Sequence, residues 1–349
     1  MLNRLVLWLA LPWFLGACTH ATDTQRPPVA LDASATRVPP KESPELLQSI
    51  AFGSCNKVDL PQPLFRQLAL EKPQLWIWTG DVIYGDSRDP AVLSQKYAAQ
   101  LQQPDYASFL ASGVQVIGTW DDHDYGEKNS GREYPTRAAS MQLFLDFVNE
   151  PKNSPRRQQS GIYTRYRFGP EGKRVKVLLT DNRYNRDSPG AQADILGAEQ
   201  WQWLEKEMLT QDAELLLLVS GTQVLPADHR YEKWADWPAA RQRLIDLLAR
   251  APYPNIIIIS GDRHLAELSK LDLPSGKTLW EITSSGLTHS YQEATDAVSP
   301  NSLRVGPLLT RLNYGMLQID WKSSPPAVSL EVRDINRAPI LQQKVPLAR

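Results

Sequence analysis

Three carboxylates and an imidazole occupy four consecutive positions at Asp121-Asp122-His123-Asp124, directly after the apolar run Val114-Gln115-Val116-Ile117-Gly118. Like charges at the mouth of a strand repel one another unless a cation organises them, so this spacing points to a metal site. Read alone, it is also compatible with a solvated acidic turn. Four other short sequences carry side chains of the same chemical kinds: Gly53-Ser54-Cys55-Asn56, Thr79-Gly80-Asp81-Val82-Ile83-Tyr84, Ser220-Gly221-Thr222-Gln223 and Ser260-Gly261-Asp262-Arg263-His264. Each has an ordinary alternative. Asp81 fits a helix N-cap, Asp262 a turn, Cys55 a small buried hydrophobe, Tyr84 a packing residue and His264 a satisfied core histidine, while Thr222-Gln223 could only shape a cleft wall.

The elements around these residues decide between the two sets of readings. Short apolar runs rich in β-branched and aromatic residues predict strands at residues 49–53, 75–78, 114–119, 175–180, 215–220 and 255–260. Amphipathic stretches predict helices over residues 63–71, 91–111, 137–148, 199–209 and 239–251. The alternation implies an α/β fold, a four-layer α/β/β/α sandwich over residues 47–349. After residue 276 only strand patterns recur, at 278–283, 314–321 and 327–332, which reads as a closing antiparallel layer; no helix is expected in 334–349. All five polar sequences end predicted strands, where ligands gather in open α/β sheets. Five such coincidences are a poor explanation, so the five are expected to meet.

The N-terminus bears on compartment. Arg4 precedes an apolar run from Leu5 to Ala17, closed by Leu15-Gly16-Ala17-Cys18, too short for a spanning helix and suited to an export signal over residues 1–17. Leu-Gly-Ala-Cys resembles a bacterial lipobox, which implies that Cys18 becomes the lipid-modified first residue of the mature chain. Thr19 after it implies retention at the periplasmic face of the outer membrane. Residues 18–46, rich in Thr, Ala, Asp and Pro, read as a flexible tether. The chain has only two cysteines, so a lipidated Cys18 leaves Cys55 as a free thiol. A net charge of −1 with no basic block excludes long nucleic acid as the main partner.

The ordered set Gly-Ser-Cys, Gly-Asp-x-x-Tyr, Trp-Asp-Asp-His-Asp and Gly-Asp-x-His resembles the PhoD-type alkaline phosphatases, a branch of the calcineurin-like metallophosphoesterases. Leu179-Thr180-Asp181-Asn182-Arg183-Tyr184-Asn185-Arg186, Leu196-Gly197-Ala198-Glu199-Gln200-Trp201 and the stretch 234–241 extend the match over roughly residues 48 to 290. The resemblance implies a dinuclear centre bridged by Asp81. Cys55, Tyr84 and His264 complete the shell of a ferric ion, and Asp122 and Asp262 hold a hard cation, Ca2+ or alternatively Mg2+ or Mn2+. Superfamily alignment favours Asp122 over Asp121 as ligand, His123 as the imidazole facing substrate and Asp124 as its orienting partner. Arg263 clamps a phosphoryl oxygen if it points inward. Two cations acidify a bound water and place the hydroxide in line with phosphorus, giving hydrolysis of a small phosphoester. A phosphodiesterase or phospholipase-like activity on the same site is the second enzymatic reading, and a catalytically inactive surface lipoprotein the third. Asp181, Arg183 and Arg186 are expected to form a structural ion-pair network. The Trp-rich loop at 234–237 is either a lid or a hydrophobic anchor. Several family members carry a β-sandwich before the catalytic domain; here the tether occupies that space, so substrate range does not transfer.

Overall fold

A computed structural model describes residues 37–348. The expected export signal, Cys18 and the first half of the tether lie outside the described residues. The described chain forms thirteen strands: β1 (Ser49–Gly53), β2 (Leu75–Thr79), β3 (Gln115–Thr119), β4 (Thr164–Phe168), β5 (Val175–Leu179), β6 (Leu215–Val219), β7 (Ile256–Ser260), β8 (Ala266–Asp272), β9 (Thr278–Ser284), β10 (Arg304–Leu309), β11 (Tyr314–Asp320), β12 (Ala327–Arg333) and β13 (Pro339–Pro346). Between them lie α1 (Pro63–Glu71), α2 (Pro90–Gln102), α3 (Pro104–Leu110), α4 (Asp122–Tyr125), α5 (Arg137–Phe147), α6 (Ala198–Leu209) and α7 (Pro238–Arg250).

Two mixed sheets result, of order β13-β12-β11-β1-β2-β3 and β10-β8-β9-β7-β6-β5-β4. The runs Val175–Leu179, Leu215–Val219 and Ile256–Ser260 are buried at every position and pair in parallel, as expected of strands covered on both faces. Alternation along each strand divides its side chains between two cores. Ile50, Phe52, Ile77 and Ile117 meet Val177, Leu179, Leu217 and Ile257 between the sheets. On the outer face of the first sheet, Trp76 and Trp78 pack with Phe65, Tyr97, Phe109 and Phe144 from the helices. On that of the second, Leu216, Leu218 and Ile258 pack with Trp201, Leu204, Leu244 and Leu248. Each such buried side chain contributes about 1.5–3 kcal/mol. The expected α/β/β/α order of layers is therefore present.

Four details differ from expectation. The helix anticipated over 91–111 is two, because Pro104 disfavours a helical residue before it and starts a new helix at its own N1 position. The strands after residue 276 do not form one layer: β9 joins the second sheet, parallel to β7, whereas β11 and β12 extend the first. Residues 339–346 form its edge strand. The tether is not loose throughout 18–46. Arg37 Nη1 donates to the Phe147 carbonyl at 2.6 Å, Ser43 exchanges backbone bonds with Arg167 and Gly169, and Glu42 pairs with Arg165 and Arg167. The stretch from Arg37 onward is thus fastened to the domain.

Candidate metal centre

The carboxyl ends of the two sheets converge. Gly261 after β7 bonds its N–H to the Gly221 carbonyl after β6 at 3.0 Å, and Thr119 Oγ1 at the end of β3 donates to the Thr180 carbonyl after β5 at 2.6 Å. A Cβ at Gly261 would lie 2.5 Å from both Ser54 Oγ and the Thr79 carbonyl, so only glycine permits this approach. Around the junction the backbone is unusual. Cys55, Asp81, Asp262 and His264 have φ values of 61°, 51°, 69° and 54°, in the left-handed region. Such conformations cost on the order of 1–3 kcal/mol each and cluster where side chains must be aimed. Nothing in the core-residue reading of Cys55 or His264 requires them.

The side chains so aimed belong to three overlapping groups. Cys55 Sγ and Tyr84 Oη each lie 3.5 Å from Asp81 Oδ2, and Tyr84 Oη is 2.9 Å from His264 Nε2. Donor atoms of Cys55, Asp81 and His264 all lie within 4.8 Å of one another, as do those of Asp81, Asp121, Asp122 and Asp262, and those of Asp81, Asp122 and His123. Asp81 alone belongs to every group, and its Oδ1 is buried without a hydrogen-bond partner. An orphaned carboxylate oxygen costs free energy unless something charged meets it. One side of Asp81 offers thiol, phenol and imidazole donors, and the other is mostly carboxylate with His123 beside it, so the residues fit two cations of different hardness sharing Asp81.

Electrostatics agree with that fit. Burial, then the charge of Asp122, pushes the Asp81 carboxyl well above the ordinary range and raises Asp262 to about 7. Burial pushes the Cys55 thiol and the Tyr84 phenol up, and lowers His264 to about 3 and His289 to about 4. Burial thus favours the neutral forms of Asp81, Asp262, Cys55, His264 and His289, and bound cations would favour the ionised acids instead. Asp122 behaves differently. Burial pushes it up, but Arg183, His123 and the Asn129 N–H together hold it below the usual carboxylate value.

Residues 50–307 match the sequence profile of the PhoD-like phosphatases. The chain belongs to the PhoD-like phosphatase family. It is 24% identical to alkaline phosphatase D of Bacillus subtilis (strain 168) over 289 residues, 67% of this chain and 48% of that protein, and so spans about half the length of this curated relative. Among solved structures, PhoD superposes with a TM-score of 0.67 at 17% identity, covering 89% of this chain and 74% of the other. GAP50, the anchor in the inner membrane complex of Plasmodium, gives 0.55 at 12% identity over 87% and 90%. A dimetal phosphatase from Danio rerio gives 0.50 at 14% over 87% and 100%. The fold is shared with all three.

Within this PhoD-like site, several sequence-based assignments change. Asp124 does not orient His123: its Oδ1 accepts the Asp121 N–H at 2.7 Å and its Oδ2 the Val82 N–H at 3.0 Å, so it braces the start of α4 against the loop after β2. The partner of His123 is Asp86, whose Oδ1 lies 2.6 Å from Nδ1. Asp86 stands two residues after Tyr84 in the same loop, a position the strand-end pattern did not single out. Arg263 does not reach toward the carboxylates. Its Nε donates to Gln223 Oε1 at 3.1 Å, its Nη2 to Ser299 Oγ at 2.7 Å, and its guanidinium lies 4.4 Å over the Tyr231 ring, so it builds the cleft wall. His289, also unforeseen, joins Tyr84 and His264. Asp121 gives Oδ1 to Arg183 Nε at 2.7 Å, while its Oδ2 is buried and unpartnered among the acids, which keeps it beside Asp122 as a candidate ligand.

The supporting residues fall where expected. Arg183 Nη2 bridges Asp121 and Glu232 at 2.5 Å each, Arg186 pairs with Glu232, and Asp181 accepts from Trp120, Ile162, Arg183 and Tyr184, a structural network. Trp234 and Trp237 are buried, and their indole N–H groups donate to Ser220 Oγ and the Asp187 carbonyl, so this loop is an anchor and not a lid. Above the acids opens a cleft of about 540 Å³ lined by Asp122, His123, Arg230, Tyr231, Asp262 and His264, among others.

Proposed function

We propose that this PhoD-like protein is a metal-dependent phosphoester hydrolase in which Asp81 is shared by two cations. The observation that carries this reading is the unpaired buried Oδ1 of Asp81 at the intersection of three donor clusters. Cys55, Asp81, Tyr84 and His264 would hold a ferric ion, and Asp81, Asp122 and Asp262 a hard divalent ion, Ca2+ or one of Mg2+ and Mn2+. When bound, such a pair supplies charge neutralisation for the phosphoryl oxygens and acidity for a water. The chain does the rest. His123, stacked on Tyr84 with ring centroids 4.1 Å apart and held by Asp86, faces the cleft as donor to the ester. Asp124 and the Arg183 network fix the acidic turn so that it does not rearrange as charge develops.

The cleft narrows the substrate. No aliphatic side chain lines it, whereas Lys128, Arg230 and Arg263 bring positive charge, which favours a small polar phosphoester over a lipid. A diester remains the second reading, since the same donors serve both. The test is metal analysis of purified protein together with rates on aryl phosphate mono- and diesters, for the wild type and Asp81→Ala. Loss of both metals and of turnover in the variant is expected; full activity of Asp81→Ala refutes the reading. A ferric phenolate from Tyr84 would colour the protein. We also infer export and outer-membrane anchoring through Cys18 from the Leu-Gly-Ala-Cys sequence. Palmitate incorporation in cells, lost in Cys18→Ser, tests it.

A further inference from the structure

The segment after β9 is stitched to both halves of the Cys55 side of the centre. Leu287 and Thr288 donate their N–H groups to the carbonyls of Ser54 and Cys55, at 3.3 and 3.4 Å, and the Tyr291 N–H donates to the His264 carbonyl at 2.6 Å. Between these fastenings His289 extends inward. Its Nε2 lies 3.1 Å from Tyr84 Oη and 3.2 Å from His264 Nε2, which are themselves 2.9 Å apart. Three donor atoms at metal–ligand distances of about 2.1 Å and mutual right angles stand about 3.0 Å from one another. The observed triangle has those edges.

The hydrogen bonding of the ring accommodates a lone pair on the inward-facing nitrogen. Thr288 Oγ1 has one proton, which goes to the Cys55 carbonyl at 3.3 Å, and it accepts from the Lys57 N–H at 2.8 Å. It also lies 3.1 Å from His289 Nδ1, a contact that the ring donates in its Nδ1–H tautomer. With Nδ1 protonated, Nε2 presents a lone pair to Tyr84 and His264, and the Nδ1–H bond to Thr288 is the outer support that metal-bound histidines ordinarily have. A second imidazole crowded at 3.2 Å against His264 serves no packing purpose in a partly open position.

We propose that His289 is a further protein ligand to the cation on the Cys55 side, binding through Nε2 beside Tyr84 Oη and His264 Nε2. It rests on the two-cation reading above, and its test requires no turnover. The full chain is stripped of metal and titrated with Co2+, and hyperfine-shifted, exchangeable ring N–H proton signals are counted by NMR. Two such signals are expected for the wild type and one for His289→Ala, with Co2+ on that side bound at least tenfold more weakly in the variant. His289→Gln provides the same measurement should the alanine variant not fold. A single ring N–H signal in the wild type, or unchanged Co2+ affinity and spectrum in either folded variant, overturns the proposal. Absence of any Co2+ binding by the wild type refutes the metal centre itself, whereas hydrolysis failing while two signals appear refutes only the proposed activity.

Discussion

Replacing Asp86 by Asn separates two carboxylates with rival claims on His123. Asp86 Oδ1 contacts His123 Nδ1 at 2.6 Å, while both oxygens of Asp124 are taken by backbone N–H groups. Burial lowers the His123 pKa, but the Asp86 hydrogen bond and the charges of Asp122 and Asp86 outweigh it, so the imidazole is held above its ordinary value. A charge-assisted hydrogen bond contributes about 1.5–3 kcal/mol. The Asp86 side chain is 44% exposed, and solvent screening reduces what reaches His123 to about 1 kcal/mol. Losing a carboxylate favours the neutral ring, so the pKa falls. If protonated His123 is the donor to the leaving group, the alkaline limb of the kcat profile moves toward lower pH in Asp86→Asn. Metal content and Tm should stay close to wild type. Asp124→Asn, by contrast, sets an amide N–H2 against a backbone N–H, which costs about 1–3 kcal/mol of stability and leaves the limb in place. The assay is steady-state hydrolysis of an aryl phosphate from pH 6 to about 10, with thermal unfolding in parallel. A limb displaced by Asp124→Asn but unmoved by Asp86→Asn would refute the reassignment.

Arg183→Leu leaves Asp121 and Glu232 buried without their shared cation, and urea unfolding should show a loss of about 3–5 kcal/mol. A loss under 1 kcal/mol would mean that the network is not structural. The stabilising effect of added metal should also depend on pH. In the bare folded state burial raises Asp262 from 3.8 to about 7, so its contribution is fully present below the unfolded value and is lost as pH rises through about 7. A cation replaces that proton, so the metal-induced rise in Tm should grow between pH 4 and 7 and level off above; scanning fluorimetry with and without chelator measures it, and a rise that is flat or shrinks across this range would contradict the ligand role of Asp262.

Much of this arrangement can be read from residue order because it depends on local chemistry. The strand ends carry glycine followed by a donor, and the acidic turn follows an apolar run, so Cys55, Asp81, Asp122, Asp262 and His264 could all be named before any coordinates. What stayed hidden depends on through-space pairing. Asp124 adjoins His123 in sequence and Asp86 lies 37 positions away, yet it is Asp86, from the loop after β2, that meets the ring. His289 follows a strand read as part of one closing antiparallel layer, whereas the strands after residue 276 divide between two sheets according to pairing across the whole chain. Arg263 sits between two donors in sequence, yet its long side chain passes beneath Tyr231 to Gln223 and Ser299.

The two sheets are continuous cores everywhere except at this end, where polar loops replace apolar contact, and the donors divide between them in a particular way. Cys55, Asp81, Tyr84 and Asp122 come from the segments that follow strands of the first sheet, and Asp262, His264 and His289 from those that follow strands of the second. On the two-cation reading each cation would take ligands from both sheets and would close the end of the sandwich that the hydrophobic core leaves unsealed. Removing metal should then loosen this end and not the whole molecule. Four left-handed residues held at on the order of 1–3 kcal/mol each would lose the bonds that oppose their strain. In hydrogen exchange with and without chelator, amides of residues 54–56, 81–85, 262–265 and 287–291 should gain exchange by tenfold or more, while β5, β6 and β7 remain protected. Uniform acceleration across all strands would show that the centre supports the global fold, and no acceleration at the four loops would show that it does not join the sheets.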